Sequence, residues 1–298
     1  MNSELTTLKT GLVQFLDEIP FDTIASQVAA RTNKNTGEIA ELLSTYANES
    51  LVSLDLVADH LKPDNRILEV GAGLCLLSLY LKNTGFTVIA LEPAIGGYGI
   101  FEQTKNAILE HFSDLQLEVL SESAQHLNID KHGSFDLIFS NNVMEHIPNW
   151  QSALTAMAGV LSEKGKMLHS CPNYTIPYEP HYGVPVFRHF RKFSKRMFLP
   201  RTADIEIWNS LNFITCFNIN NFCKQKGFTC NFKQGLLFEA FRRIHHDPVF
   251  KERHKGVIVH IAALMMKSPF KQLVRNLPAS LSTPMIFEIT CSPPPEEK

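Results

Sequence analysis

Glu69, Gly71 and Gly73 lie close together in the run ILEVGAGLC, and Glu92 closes the apolar run TVIALE nineteen residues beyond Gly73. Glycines at the end of a strand leave the backbone amides bare, so that a ligand can approach them closely. A carboxylate at the end of the following strand can accept two hydrogen bonds from a ribose 2′,3′-diol. The pair therefore points to a nucleoside ligand, and a dinucleotide fits that much equally well. Other features separate the two. The glycine pattern is GAGLC, and Leu76 stands where the pyrophosphate fingerprint GxGxxG needs its last glycine. Glu69 would repel a pyrophosphate but favour an ammonium or sulfonium; alternatively it pairs with a lysine or with backbone amides. The later run SNNVMEHIPN has no task in a nicotinamide-dependent dehydrogenase.

The elements that must position these residues follow from periodicity. RILEV, TVIALE, LQLEVL, SFDLIFS and GKMLHS read as strands, separated by the helical runs LCLLSLYLKNTG, IFEQTKNAILEHF and MEHIPNWQSALTAMAGVL, the last interrupted by Pro148. Strands alternating with helices at short intervals predict a parallel sheet covered on both faces, with right-handed crossovers. Before it, residues 1–62 read as a helical extension: SELTTLKTGLVQFLDEI stopped by Pro20, FDTIASQVAAR, and a long helix from a Thr36 cap to Leu61, before Pro63. This extension is expected to act as a lid and to pack. After the alternating region, FNINNFCKQKGF reads as a helix, FTCNFKQGLLFEAF and PMIFEITC as strands, the span from Arg242 to Pro278 as a helical insertion, and residues 292–298 as a disordered tail.

Bulk properties bound the function. The chain has 298 residues, 44% of them hydrophobic, which suits one large domain with a substantial core. A net charge of −2 provides no global field towards nucleic acid or an acidic membrane. Six cysteines, Cys75, Cys171, Cys216, Cys223, Cys230 and Cys291, form no CxxC and sit in apolar sequence, as core thiols of a reducing compartment do. No signal peptide is evident, and VIVHIAALMM is about half the length a bilayer requires. A soluble, cytoplasmic protein without a transmembrane segment is expected.

In order and spacing, ILEVGAGLC, ALEP, SESAQHL, SFDLIFSNNVMEHIPN and LSEKGKMLHSCPN resemble the core of class I S-adenosylmethionine-dependent methyltransferases. The resemblance spans Arg66 to Asn173. It implies an α/β, Rossmann-like doubly wound sheet of seven strands, mostly parallel with one antiparallel strand, the two late strands forming the terminal hairpin. The methyltransferase domain would run from 63 to 291, with acceptor-side insertions at about 174–210 and 242–278. S-adenosyl-L-methionine is the implied cofactor. Glu69, Gly71 and Gly73 would line its methionine portion and Glu92 would bind the ribose, with Pro93 or Ala94 beside the adenine. Ser123 and Ala124 stand where the family often has Asp-Ala at the adenine amine. Asn141 would offer its carbonyl to the amino group, with Asn142 next to it. Ser123 and Cys75 depart from the family pattern.

Methyl transfer asks the protein to hold acceptor and methyl in line and, for a neutral acceptor, to remove a proton. Glu145 and His146 occupy the position expected for such a base, and His181 is a second candidate; the plainer reading of the first two is a helix cap and a surface ion pair. Asn142 and His146, four apart, would share a helix face. SNNVMEHIPN also resembles the ubiquinone-biosynthesis O-methyltransferases, some of which bind a divalent ion through Glu, Glu and His in this segment; Asn142 replaces the first Glu, so no metal is expected. In CPNYTIPYEPHYGVPVFRHF, Tyr174, Tyr178, Glu179 and Tyr182 are candidates to stack on or hydrogen-bond a ring or sugar, unless the loop is purely structural.

The following run, RHFRKFSKRMFLPR, carries Arg188, Arg191, Lys192, Lys195, Arg196 and Arg201 with no acid and with phenylalanines interleaved. It is either a solvated helix face or a cleft for a phosphate, carboxylate or lipid head group. RRIHHDPVFKERHK, with His245, His246 and His254, shows no metal-ligand spacing. The expected act is transfer of a methyl group to an oxygen of a small molecule, such as a sugar, quinone or lipid precursor, possessing an acidic or phosphorylated group if the basic run binds it. Nitrogen is the nearest competitor, although [DN]PP[YF] is absent at the fourth strand, and no DNA partner is expected. The rivals are a nicotinamide (NAD)-dependent oxidoreductase and a non-catalytic subunit that binds S-adenosylmethionine.

Overall fold

The computed structural model describes residues 3–93, 99–201, 205–246, 257–267 and 271–291. Ala94, His254 and the tail from 292, for which expectations were stated, lie outside the described residues.

Three helices open the chain: α1 (Ser3–Glu18), α2 (Phe21–Thr32) and α3 (Thr36–Val57). Pro20 separates the first two, as a residue without an N–H must. The cap of α3 is Asn35 rather than Thr36: the Asn35 carboxamide accepts a hydrogen bond from Gly37 N at 2.7 Å. The alternating region then gives β1 (Arg66–Val70), α4 (Leu76–Asn83), β2 (Thr87–Leu91), α5 (Ile100–His111), β3 (Glu118–Leu120), α6 (Ile129–His132), β4 (Phe135–Asn141), α7 (Trp150–Gly159) and β5 (Leu161–Cys171). The helix expected from Met144 onward is split. Met144–His146 forms one 3-10 turn, and α7 starts only after Pro148, capped by the Asn149 side chain on Ser152 N.

Downstream come a short hairpin, β6 (Tyr178–Glu179) with β7 (Val184–Pro185), then α8 (Arg191–Phe198), α9 (Ile205–Ser210), α10 (Cys216–Lys226), β8 (Thr229–Phe232), α11 (Leu236–His246), α12 (Val257–Lys267), α13 (Lys271–Arg275) and β9 (Met285–Thr290). The strand expected across FTCNFKQGLLFEAF ends at Phe232. Its second half is helical because Phe238, Phe241 and Ile244 recur at three-residue steps and bury one stripe with Ala262 and Val274.

Seven strands form one sheet in the order β3-β2-β1-β4-β5-β9-β8, mostly parallel with one antiparallel strand. The observed order makes β1 the switch point, since β2 pairs on one side of it and β4 on the other, both parallel. Ligands in such sheets bind at the carboxyl ends of the strands flanking that point. Ile67, Leu68, Leu137, Ile138 and Phe139 are fully buried, as expected for strands with both faces covered.

The chain divides into two compact units. One comprises residues 1–143, 149–169 and 289–298; the other comprises 144–148 and 170–288. The N-terminal helices thus belong to the same unit as β1 to β4. In that unit Tyr80 of α4 donates to Leu8 O at 2.8 Å, and Phe15 stacks on Phe112 with ring centroids 5.0 Å apart. No helix among the described residues is long and apolar enough to cross a membrane.

Candidate functional site

In the first unit, β1 breaks at Gly71 and Gly73, whose φ angles of +71° and +58° suit glycine. A side chain at 71 would overlap that of Val143, and one at 73 would overlap the ring of Tyr46 from α3. The turn enters α4 through Cys75, also left-handed at φ +62° and fully buried. Burial pushes the Cys75 thiol well above its ordinary range, aided by Glu69 and Glu92.

Two carboxylates bound this turn. Glu69, 6% exposed, accepts a 2.5 Å hydrogen bond from the Ser78 hydroxyl of α4. Of the two partners considered from sequence, the lysine is not found among the described residues, while a backbone amide is, since the Ser78 N–H bonds Glu69 alongside the Ser78 hydroxyl. Burial pushes Glu69 up to about 8; Ser78 opposes this and the charge of Glu92 adds to it. Glu92 Oε2 accepts from Gly73 N at 2.7 Å. Burial raises Glu92 to about 7, against the pull of the Gly73 N–H and of Lys105. Lys105, on α5, is 2% exposed and pairs with Glu102 at 2.9 Å.

Helix α3 brings a third carboxylate. Glu49 Oε2 accepts from Asn141 Nδ2 at 2.9 Å and from Asn142 Nδ2 at 3.0 Å. Tyr46, one turn earlier, lies against Gly73 with its ring centroid 5.5 Å from that of Phe101. Its phenol is raised to about 12 by burial, then by Glu92 and Glu49. Sequence reading assigned neither residue a role; their one-turn spacing on an amphipathic helix carries no local signature. Asn142 has φ +54°, so it does not share a helix face with His146 as expected. Ser123 Oγ lies 3.5 Å from His126 Nδ1, Ala124 is buried and Pro93 half-buried.

The residues present fit a cationic nucleoside. Gly71 and Gly73 leave the backbone bare at those two positions, and the two acids beside them are desolvated, which disfavours their charged forms until a cation compensates them. Glu92 uses only Oε2 in hydrogen bonds among the described residues.

In the second unit, Glu145, His146, Glu179 and His181 gather. Glu145 is fully buried, with Oε1 at 4.0 Å from His146 Nε2 and 3.9 Å from His181 Nε2. Each imidazole is oriented through its other nitrogen. His146 Nδ1 is 2.7 Å from Ser210 Oγ, and His181 Nδ1 is 2.6 Å from Glu179 Oε1. The two rings meet edge to face with centroids 5.2 Å apart. His146 is held down to about 4 by burial and by His181, so it is neutral near pH 7. Burial alone would raise Glu179, but hydrogen bonds from His181 and the Tyr182 backbone N–H bring it below the ordinary carboxylate range. The plain reading of Glu145 and His146 as a cap and surface pair does not describe this arrangement. One ligand atom each from Glu145, His146 and His181 lies within 4.8 Å of the others. His181 thereby adds a third group that the Glu-Glu-His comparison did not count.

Tyr174 is 3% exposed, packs among Val186, Trp208, Leu211 and Phe213, and donates its hydroxyl to Glu179 at 3.2 Å. Tyr174 and Glu179 are thus interior, while Tyr178 is more than a third exposed and Tyr182 is half-buried against Trp208. Asn212, also missed, clamps the 144–147 turn by donating its side chain to Met144 O at 2.7 Å and Ile147 O at 2.9 Å, and its backbone N–H to Glu145 O. A lone Asn outside any motif gives no sequence signal of that role.

A seven-stranded sheet of this order, with a glycine turn after its central strand and a carboxylate ending the next, defines the Rossmann-like methyltransferase class. A family model described as a methyltransferase domain matches residues 42–230. The chain belongs to that family, and it is by class an S-adenosylmethionine-dependent methyltransferase. The oxidoreductase and non-catalytic alternatives are not favoured. An uncharacterized protein of Mycobacterium tuberculosis is 31% identical over 235 residues, covering 75% of this chain and 78% of that protein. A ubiquinone biosynthesis O-methyltransferase of Xanthomonas axonopodis is 32% identical over 126 residues, 42% of this chain and 50% of that enzyme. Among solved structures, phosphoethanolamine N-methyltransferase 2 of Haemonchus contortus matches at 14% identity with a TM-score of 0.48. That match covers 83% of this chain, which spans about half (53%) of the worm protein.

Proposed function

We propose that the protein moves the methyl group of S-adenosylmethionine to a hydroxyl oxygen of a small molecule, such as a sugar, quinone or lipid precursor. The bound cofactor supplies an activated methyl on a positively charged sulfur. Glu69, Gly71 and Gly73 line its methionine end and Asn141 and Asn142 its amino group, with α3 as a lid whose Glu49 holds both amides. Glu92 takes the ribose hydroxyls, and Pro93, Ser123 and Ala124 border the adenine.

One observation carries the oxygen reading: the 2.6 Å pairing of His181 Nδ1 with Glu179 Oε1. A hydroxyl acceptor must lose its proton as it attacks, and an imidazole oriented by a buried carboxylate is suited to take it. In this reading His181 is the base and accepts the proton at Nε2. Glu179, itself held by Tyr174 and Tyr182, fixes the ring and stabilises the imidazolium. Glu145 and neutral His146 complete the polar wall, and Tyr178 and Tyr182 shape the approach of the acceptor. The resemblance to a ubiquinone O-methyltransferase over residues shared with this chain supports an oxygen acceptor in general terms.

The test is production of S-adenosylhomocysteine against a panel of sugar, catechol and polyprenyl-phenol acceptors, with mass-spectrometric location of the new methyl. O-methylation lost in His181→Asn supports the reading. Methyl transfer only to nitrogen, or full turnover by His181→Asn, overturns it.

A further inference from the structure

The basic run that follows the second-unit histidines is not used by the reading above. Between Glu179 and Asp204 the chain carries Arg188, Arg191, Lys192, Lys195, Arg196 and Arg201 and no acid. This local excess stands in a protein whose overall charge is −2.

The structure turns the run into a face. α8 spans Arg191–Phe198, with Phe190 at its N-cap. Phe190, Phe193 and Met197 follow one another at i, i+3 and i+7 and are 68%, 52% and 59% exposed; Phe187, just before, is 44% exposed. The side of α8 next to this stripe is fixed to its own unit. Ser194 is fully buried and accepts from Phe187 N at 2.8 Å; the Arg191 guanidinium lies 4.3 Å from the centre of the Phe213 ring; Lys195 Nζ is 3.1 Å from Asn209 Oδ1. The helix therefore cannot roll its apolar residues inward without breaking these anchors. Four large apolar side chains in eleven residues stay in water beside Lys192 and Arg196.

We propose that this face of α8 docks on an anionic lipid bilayer surface. A short helix with an exposed apolar stripe flanked by cations lies in the plane of a membrane, its apolar side chains inserted at the head-group boundary and its cations paired with lipid phosphates. Charge complementarity decides the occupant. Arg188, Lys192, Arg196 and Arg201, the cations not used in those anchors, have no acid among them and call for a polyanion, and an exposed Phe-Phe-Met stripe needs an apolar medium. An anionic bilayer offers both, whereas a nucleic acid offers the phosphates but no medium for Met197. The absence of a membrane-crossing helix among the described residues accords with a protein that rests on a surface. The proposal does not depend on which acceptor is methylated.

The experiment is flotation of the full chain with large unilamellar vesicles of phosphatidylcholine alone or with about 30% phosphatidylglycerol, on the electrostatic scale of polybasic segments. The wild type floats with the anionic vesicles and not with neutral ones, and 0.5 M NaCl, on the order of the salt that collapses the Debye length, releases much of it. F190S/F193S/M197S and, separately, K192E/R196E each weaken binding by roughly tenfold or more. Both sets are on the surface, and circular dichroism with thermal melting confirms that the variants are folded. No flotation of the wild type, equal flotation of wild type and both variants, or binding of a single-stranded RNA oligonucleotide in place of vesicles overturns the proposal.

Discussion

His181 is held by Glu179, with Nδ1 2.6 Å from Oε1, while the same Glu179 receives the Tyr174 hydroxyl and the Tyr182 backbone N–H. Three donors converging on one buried carboxylate fix a ring, and this order gives the acceptor-side proposal a graded test. His181→Ala should lower kcat by about 100- to 10,000-fold, the range for loss of a general base. Glu179→Gln keeps the volume but loses the charge and should fall between that variant and the wild type. Tyr174→Phe, which removes one hydroxyl from Glu179, should cost least. Steady-state kinetics with cofactor affinity measured in parallel check this; equal kcat in all three variants excludes the dyad from the chemistry.

The acids beside the glycine turn predict a pH dependence of cofactor binding. Glu69 is raised to about 8 and Glu92 to about 7, so between pH 4.5 and those values the ligand-free folded protein holds protons that the unfolded chain has released. Folding stability contributed by these groups is accordingly greatest at low pH and declines as pH rises through that window. A cationic ligand reverses the preference and expels the protons. Titration calorimetry in buffers of different ionisation enthalpy should show proton release near pH 6.5, with affinity increasing towards pH 8. Glu92→Gln should weaken binding and flatten part of the pH dependence; an unchanged profile removes Glu92 from the ligand's surroundings.

Tyr46 and Gly73 should be coupled. Gly73→Ala places a Cβ in the Tyr46 ring and a non-glycine residue at φ +58°. Left-handed backbone costs roughly 1–2 kcal/mol, and the overlap adds to it. Tyr46→Ala in the same chain should recover the overlap part and leave the backbone part. Urea unfolding of the two single variants and the double variant measures this coupling. Strict additivity would mean that the α3 ring does not press on the turn in solution.

Glu49 accepts from both Asn141 and Asn142. Hydrogen bonds to a charged partner are worth about 1.5–3 kcal/mol, so Glu49→Ala should weaken cofactor binding by at least about tenfold, the factor that corresponds to 1.4 kcal/mol. Removing the charge while keeping the length and one acceptor oxygen, as in Glu49→Gln, should have an intermediate effect. Fluorescence or calorimetric titration gives the answer, and wild-type affinity in both variants would reduce Glu49 to a packing role.

Glu145, His146 and His181 are close enough to be drawn together by a cation. With His181 as base, turnover needs no metal, and protein treated with a chelator should keep full activity. Loss of activity that Mg²⁺, Mn²⁺ or Zn²⁺ restores, with the metal found by elemental analysis, would make these three residues ligands and displace the base assignment.

The ordering of strands and helices from Arg66 to Cys171 was legible because each is a local pattern: apolar runs for strands buried on both faces, 3.6-residue periodicity for helices, glycine at the turn. Glu69 and Glu92 could be named for the same reason, since their places follow from strand ends. The misreadings have local causes too. Asn35 and Thr36 are both good caps, and only the backbone decides between them. GLLFEAF is apolar enough for a strand until its three-residue spacing meets a partner helix. What tertiary structure alone decided is which distant residues converge. Glu49 and Asn141 are 92 positions apart, His146 and Ser210 are 64 apart, and Asn212 clamps a turn 65 to 68 residues upstream. Such pairings carry no signal along the chain, because their energy comes from hydrogen bonds and burial that exist only once the elements have packed.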